Sequence, residues 1–407
     1  LLVDGAPLGA AALDAAGRAT LASAALLPGS HLVVASYPGD ADHLPTTAPA
    51  VTVTVQPAAT TTALSAEPLA AVAGQPVTLT AEVAPVAPGA GAPSGAVTFR
   101  DGAAELGTAA VDPATRRATL VVPALAVGDH ALGASYPGDG RFLPSAAAAP
   151  LALPVTRAAV AVSVTAAPAD PVTGQAVTLT VQVTAAAPGS GTPTGQVTVT
   201  DGGRPLGAVD LAGGSATLVA ALAAGAHALE ASYPGDAAFQ PGTGAAALSV
   251  GRAATTTALA TSGSPSVFGQ PVTLTATVQV PAPGAGTPTG AVTFKDGAAV
   301  LGTVPLGADG RAALATVLPE GLRALTAEYG GDPGFAPSAG AVQQDVRTSP
   351  VTIAVTPSPN PASFGEPVTV AIAVSGAGQG TPGGTVTVLD GAVVVATLTL
   401  DASGHAS

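Results

Sequence analysis

Along residues 77–83, Val77, Leu79, Ala81 and Val83 alternate with Thr78, Thr80 and Glu82. A period of two turns one face of an extended strand inward and leaves the other in water. The segment before it, residues 61–66, reads as a first short strand. A loop rich in Gly, Pro and Ala follows, from Pro85 to Gly95. Val97 and Phe99 then face inward in the next strand, which Asp101-Gly102 closes as a hairpin. A weaker strand runs from Leu106 to Val111, and a turn over Asp112–Arg116 leads into Ala118, Leu120 and Val122. Leu132, Ala134 and Tyr136 line another inward face, and residues 145–155 supply the last strand. Seven short strands with turn-rich joints predict a two-sheet sandwich. Ala favours helix by propensity, but Pro and Gly interrupt every such run, so no helix is expected.

The pattern repeats along the chain. A Gly-Gln or Gly-Glu pair opens a strand at Gly74, Gly174, Gly269 and Gly365. Asp-Gly recurs at Asp4, Asp101, Asp201, Asp296 and Asp390, and Tyr-x-Gly-Asp at Tyr37, Tyr136, Tyr233 and Tyr329. All three markers keep one order and a spacing of 94–100 residues, which is too long for propeller blades or β-helix coils. The expected units are residues 57–155, 156–250 and 251–346. Residues 1–56 hold the later strands of a further unit, and residues 347–407 hold the earlier strands of another. Neither end segment can close a sandwich by itself, so unpaired strand edges are expected there. Joins of only a few residues, such as Val155-Thr156-Arg157-Ala158, predict an elongated, semi-rigid rod. At ~3.3 Å per strand residue a unit spans roughly 35–45 Å, and the rod is on the order of 150 Å.

Composition narrows the function. Only 12 Lys and Arg occur in 407 residues, and the net charge is −13. There is no basic stripe for nucleic acid or for an anionic lipid surface. With no Cys in the sequence, disulfides and thiolate chemistry are excluded. No run of about 20 apolar residues free of Gly and Pro appears, so no membrane insertion is expected in this segment. The chain opens on Leu1-Leu2-Val3-Asp4-Gly5, the end of a strand, and closes at Ser407 just after a turn. It is therefore expected to be an internal piece of a longer protein, with any leader or anchor outside it.

The runs Gly-Gln-Pro-Val-Thr-Leu-Thr (74–80), Gly-x-Val-Thr-Phe-x-Asp-Gly (95–102 and 290–297) and Ala-x-Tyr-Pro-Gly-Asp (134–139 and 231–236) together resemble the bacterial Ig-like domain of group 3. The likeness covers essentially the whole chain, with departures at Tyr329-Gly330-Gly331-Asp332 and Gly365-Glu366. It implies an all-β array of tandem immunoglobulin-like β-sandwich domains that is exported and displayed on a bacterial surface or secreted. Such arrays serve as spacers, adhesin stalks or carbohydrate-associated modules. The family assigns no catalytic residues and no cofactor.

The residues themselves offer few sites. Tyr37, Tyr136, Tyr233 and Tyr329 are the chain's only Tyr and share one repeat position; each ring is expected to pack at the end of a core with its hydroxyl capping nearby backbone. Phe99 and Phe294 share a core position that Val199 takes in the third unit. His31, His130 and His227 recur before the Tyr strand, with Arg323 in the fourth unit. They lack the converging partners that zinc needs and read as strand-entry residues. No strand–helix serine elbow or paired-carboxylate cleft appears, so no enzyme is expected. One metal reading stands: across a joint, Asp101 is expected to approach Asp236 or Asp210 of the next unit, a carboxylate group that would attract calcium. Against it, single Asp residues in a chain of low charge leave few ligands. The leading function is a passive extracellular spacer whose partners are its own neighbouring domains. The alternatives are an adhesin or glycan-binding module touching an unknown host or glycan ligand, and an accessory region of a secreted enzyme.

Overall fold

A computed structural model of the chain describes every residue except Ala25 and Gln379. The described residues form strands and turns, with no helix among them.

In the second unit the alternating segment becomes the strand Val77–Pro85, flanked antiparallel by Thr60–Glu67 and Arg117–Val122. Across this three-stranded sheet lies a second, in the order Ala104–Ala110, Ala96–Asp101, Gly128–Tyr136, Leu151–Thr156, Ala71–Val72. The last pairing is parallel, Val155 opposite Ala71. The chain thus starts in one sheet and crosses at Ala71–Val72 to the edge of the other, tying the two sheets together.

Period two decides what is buried. Val77, Leu79, Ala81 and Val83 are fully buried, and so are Val97, Phe99 and Leu132 facing them. Together they form one contiguous core with Ala118, Tyr136 and Val155. The third and fourth units build equivalent cores around Leu179, Val199 and Tyr233, and around Leu274, Phe294 and Tyr329. The hairpin at Asp101-Gly102 carries a bulge where the register shifts between Phe99 and Arg100. The same irregularity recurs at Val199/Thr200, Phe294/Lys295 and Val388/Leu389. A bulge at one repeat position bends each hairpin the same way and aims its turn toward the same pole.

The two end segments are open. In residues 347–407 the strand Val351–Ser358 pairs with Thr369–Gly376, which buries Ile372 and Val374, while Val351, Ile353 and Val355 stay exposed. In residues 1–56 Leu32 and Val51 are exposed in the same way.

Candidate functional site

Each complete unit has two differently built poles, and the joints form where one unit's leading pole meets the next unit's trailing pole. At the trailing pole of the second unit, Tyr136 ends the strand Gly128–Tyr136 and lies 1% exposed. Three residues on, Asp139 organises the loop. Its Oδ2 accepts from Ser94 N at 2.9 Å and Ser94 Oγ at 2.7 Å. Its Oδ1 accepts from Arg141 N at 2.7 Å and Phe142 N at 2.9 Å. Asp236 does the same with Thr194, Ala238 and Phe239, and Asp332 with Thr289, Gly334 and Phe335. Burial works against the Asp139 charge, but the bonds from Ser94 and the Arg141 amide outweigh it and hold the carboxyl down at about 2.

The well-formed hydrogen bonds that cap backbone at this pole come from these aspartates. The hydroxyls of Tyr136, Tyr233 and Tyr329 are buried beside the Asp139, Asp236 and Asp332 carboxylates and the Ser94, Thr194 and Thr289 amides, in geometry short of a full hydrogen bond. Burial first, and the neighbouring Asp139 carboxylate second, pushes Tyr136 up to about 12. In the first segment, which supplies no strand equivalent to the one entered at Ser94, Tyr37 is half-buried and its hydroxyl donates to Asp40 Oδ2 at 2.7 Å.

Phe142, Phe239 and Phe335 also close this pole, buried to within 3–6%. Sequence reasoning missed them. The available signal was their constant place, six residues after Tyr136, Tyr233 and Tyr329.

At the leading pole, Asp101 does not bond its own turn. Its Oδ2 lies 2.6 Å from His130 Nδ1, and its Oδ1 accepts from Ala131 N at 3.1 Å. Asp201 holds His227 and Ala228 likewise, and Asp4 holds His31 and Leu32. In the fourth unit Arg323 takes the place of His and donates from Nε to Asp296 at 2.7 Å. The His positions are thus anchored side chains, with 11% of His130 exposed.

The joint between the second and third units is short: only residues 157–159 separate Leu151–Thr156 from Val160–Ala167. The turn at Ala73-Gly74 meets the loop at Gly189-Ser190 of the next unit. Ser190 Oγ donates to Gly74 O at 2.5 Å, and Ser190 N to Ala73 O at 3.3 Å. Ala73 is 5% exposed and belongs to the core of the third unit. The joint recurs one unit later, where Ala285 N donates to Thr173 O at 3.2 Å and Val172 packs on the fourth core. At the next joint Phe268 lies against Gly378 and Gly380.

The structure does not bring the candidate calcium ligands together. Asp101 is engaged by His130, Asp236 by Thr194 and its own loop, and Asp210 by Gln196 at 3.2 Å, each inside its own unit. Among the described residues no group of three or more His, Cys, Asp or Glu could hold a metal ion.

Comparison with known proteins agrees with this architecture. The family described as bacterial Ig-like domain (group 3) matches residues 1–56, 64–156, 164–251 and 259–347. No curated protein sequence matches the chain. Among solved structures the chain is similar to a three-domain fragment of the titin I-band, at 12% identity over 69% of this chain and 95% of that one, TM-score 0.30. It is also similar to the Escherichia coli adhesin FdeC, at 15% identity over 70% and 96%, TM-score 0.25. Fibronectin(III)-like modules of Clostridium thermocellum CbhA match at 17% identity over 46% and 94%, TM-score 0.20. These likenesses are of fold alone.

Proposed function

This chain belongs to the bacterial Ig-like domain (group 3) family, and from that premise we propose that it is a non-catalytic extracellular spacer, holding whatever lies at its two ends a fixed distance apart on a bacterial surface or in a secreted protein. The observation that carries this reading is the recurrence of one joint. Ala73-Gly74 against Ser190 and Thr173-Gly174 against Ala285 use the same elements of each unit and the same backbone acceptors. A repeated joint that shares core residues across the boundary transmits orientation from unit to unit, which a Gly/Ser tether does not.

The site chemistry supports the same reading. The aspartates and histidines at the poles fasten loops, and their polar atoms face other parts of the same unit. Export is what the family implies, and a chain without cysteine needs no oxidising partner to fold there. Small-angle X-ray scattering of the whole chain tests the proposal. An extended particle with a well-defined cross-section is expected. A profile of beads reorienting freely would overturn it.

A further inference from the structure

His31, His130 and His227 are each held at both ring nitrogens by an acceptor. In the second unit Nδ1 faces Asp101 Oδ2 at 2.6 Å and Nε2 faces the Ala126 carbonyl at 2.8 Å. In the third the distances are 2.7 Å to Asp201 and 2.9 Å to Ala223 O, and in the first 2.7 Å to Asp4 and 2.6 Å to Leu27 O. Neutral imidazole carries one N–H and can satisfy one of two acceptors; imidazolium carries two and satisfies both. The fourth unit places a permanent cation, Arg323, on the equivalent carboxylate. We propose that the first three units carry a proton-operated clamp, in which imidazolium ties the Asp-Gly hairpin to the loop before the Tyr strand, while in the fourth unit Arg323 holds the hairpin carboxylate at every physiological pH.

The tie that deprotonation breaks is the carbonyl one. With the remaining proton on Nδ1 toward the carboxylate, the Nε2 lone pair faces the Ala126 oxygen and the loop is released. That loop carries Leu125, 8% exposed, into the core. Its counterparts line the joints: Leu27 and Pro28 face Ala58, Pro88 and Phe142 of the second unit, and Glu320 faces the last segment near Ser349. Releasing the loop therefore loosens the rim of a core, and in the first unit one wall of a joint as well.

The charged groups facing these rings are Asp101 and Asp129 for His130, Asp201 for His227, and Asp4 for His31. Arg204 stands opposite Asp201 in the hairpin register. The residues opposite them in the strand register are apolar: Leu153, Leu248 and Val53. Both contacts raise the histidine pKa values, led by the Ala126 carbonyl at His130 and by the carboxylate at His227 and His31. A folded-state pKa above the unfolded value of about 6.5 gives stability that is complete below that value and is lost as pH rises through the folded value. The clamp is closed on the acid side.

The experiment uses the whole chain. Two-dimensional NMR follows the imidazoles while pH is varied, and calorimetry follows melting at about pH 5.5 and about pH 8.5, either side of the histidine range. His130 and His227 are expected to titrate above the ordinary value, and Asp101→Asn and Asp201→Asn to bring them back toward it. Melting of the affected units is expected to fall on the order of 4 °C between the two conditions. The triple change His31→Arg, His130→Arg, His227→Arg is expected to abolish that fall. Histidines of the unaltered chain titrating at or below the ordinary value would overturn the proposal, and this reading needs no variant to fold. An equal pH dependence in the parent and the arginine variant would also overturn it.

Discussion

Gly174 stands against Ala285 of the following unit so closely that a β-carbon on it would overlap the Ala285 carbonyl, and it does so at φ +76°. Gly74 meets Ser190 in the same way at φ +74°. A left-handed backbone under a neighbour's carbonyl is a place only glycine fills. Gly102, at φ +53° with open space around it, separates the two requirements. Ala at Gly102 or at Gly174 carries backbone strain of about 1–2 kcal/mol. Only Gly174→Ala should also push the joint apart. Both variants are expected to melt a few degrees early, with a longer, more variable particle in solution scattering for Gly174→Ala alone.

Phe99 and Phe364 give opposite outcomes for one substitution. Phe99 is fully buried between the sheets, and Phe364 is fully exposed. Phe99→Ala should destabilise the second unit by about 3–5 kcal/mol in denaturant unfolding. Phe364→Ala should stay within about 0.5 kcal/mol.

Removing the Tyr136 hydroxyl should do little harm. It is buried beside Asp139 and the Ser94 amide without a full hydrogen bond, so Tyr136→Phe relieves a polar group of its burial. The melting temperature is expected to hold or rise. On alkaline titration Tyr136, Tyr233 and Tyr329 should ionise near about 12. Their folded values lie above the unfolded value of about 10. Stability is therefore complete below that value and is lost as pH climbs through the folded one, so unfolding and tyrosinate absorbance should appear together.

Acid tests the other half of that pole. Asp139 and Asp236 are held down at about 2 from 3.8, because the bonds they accept outweigh their burial. The stability they confer is present above the unfolded value and is lost as pH falls through the folded one. Asp139→Asn keeps the shape but weakens charge-assisted bonds from Ser94, Arg141 and Phe142. A loss of about 2 kcal/mol at neutral pH is expected. Its difference from the parent should vanish as acid protonates Asp139 in the parent.

Most of the fold was legible because alternation is a strong signal when one face must be buried. Val77 to Val83, Val97 and Phe99 sit inside as the period of two requires. What stayed hidden needed spatial rather than sequential neighbours. Asp101 read as a local turn residue, yet it bonds a histidine 29 residues away. The signal was present in the basic residue that follows Asp4, Asp101, Asp201 and Asp296 at 26–29 residues, with Arg323 once replacing His. Gly74 read as the start of a strand, and nothing in its own unit shows that Ser190 lies against it. Gln344, fully buried beside Ser266 where the second and third units have Leu153 and Leu248, broke the pattern without any sequence cue.

The central claim is that neighbouring units hold one orientation. The absence of cysteine allows clean labelling. Spin labels on Thr108→Cys and Ala208→Cys, both exposed and at equivalent places in adjacent units, report the angle and spacing across the Gly74–Ser190 joint by pulsed electron resonance. A single narrow distance distribution, broadened by Gly74→Ala, is the predicted result. A broad distribution in the doubly labelled parent, unchanged by Gly74→Ala, would contradict it.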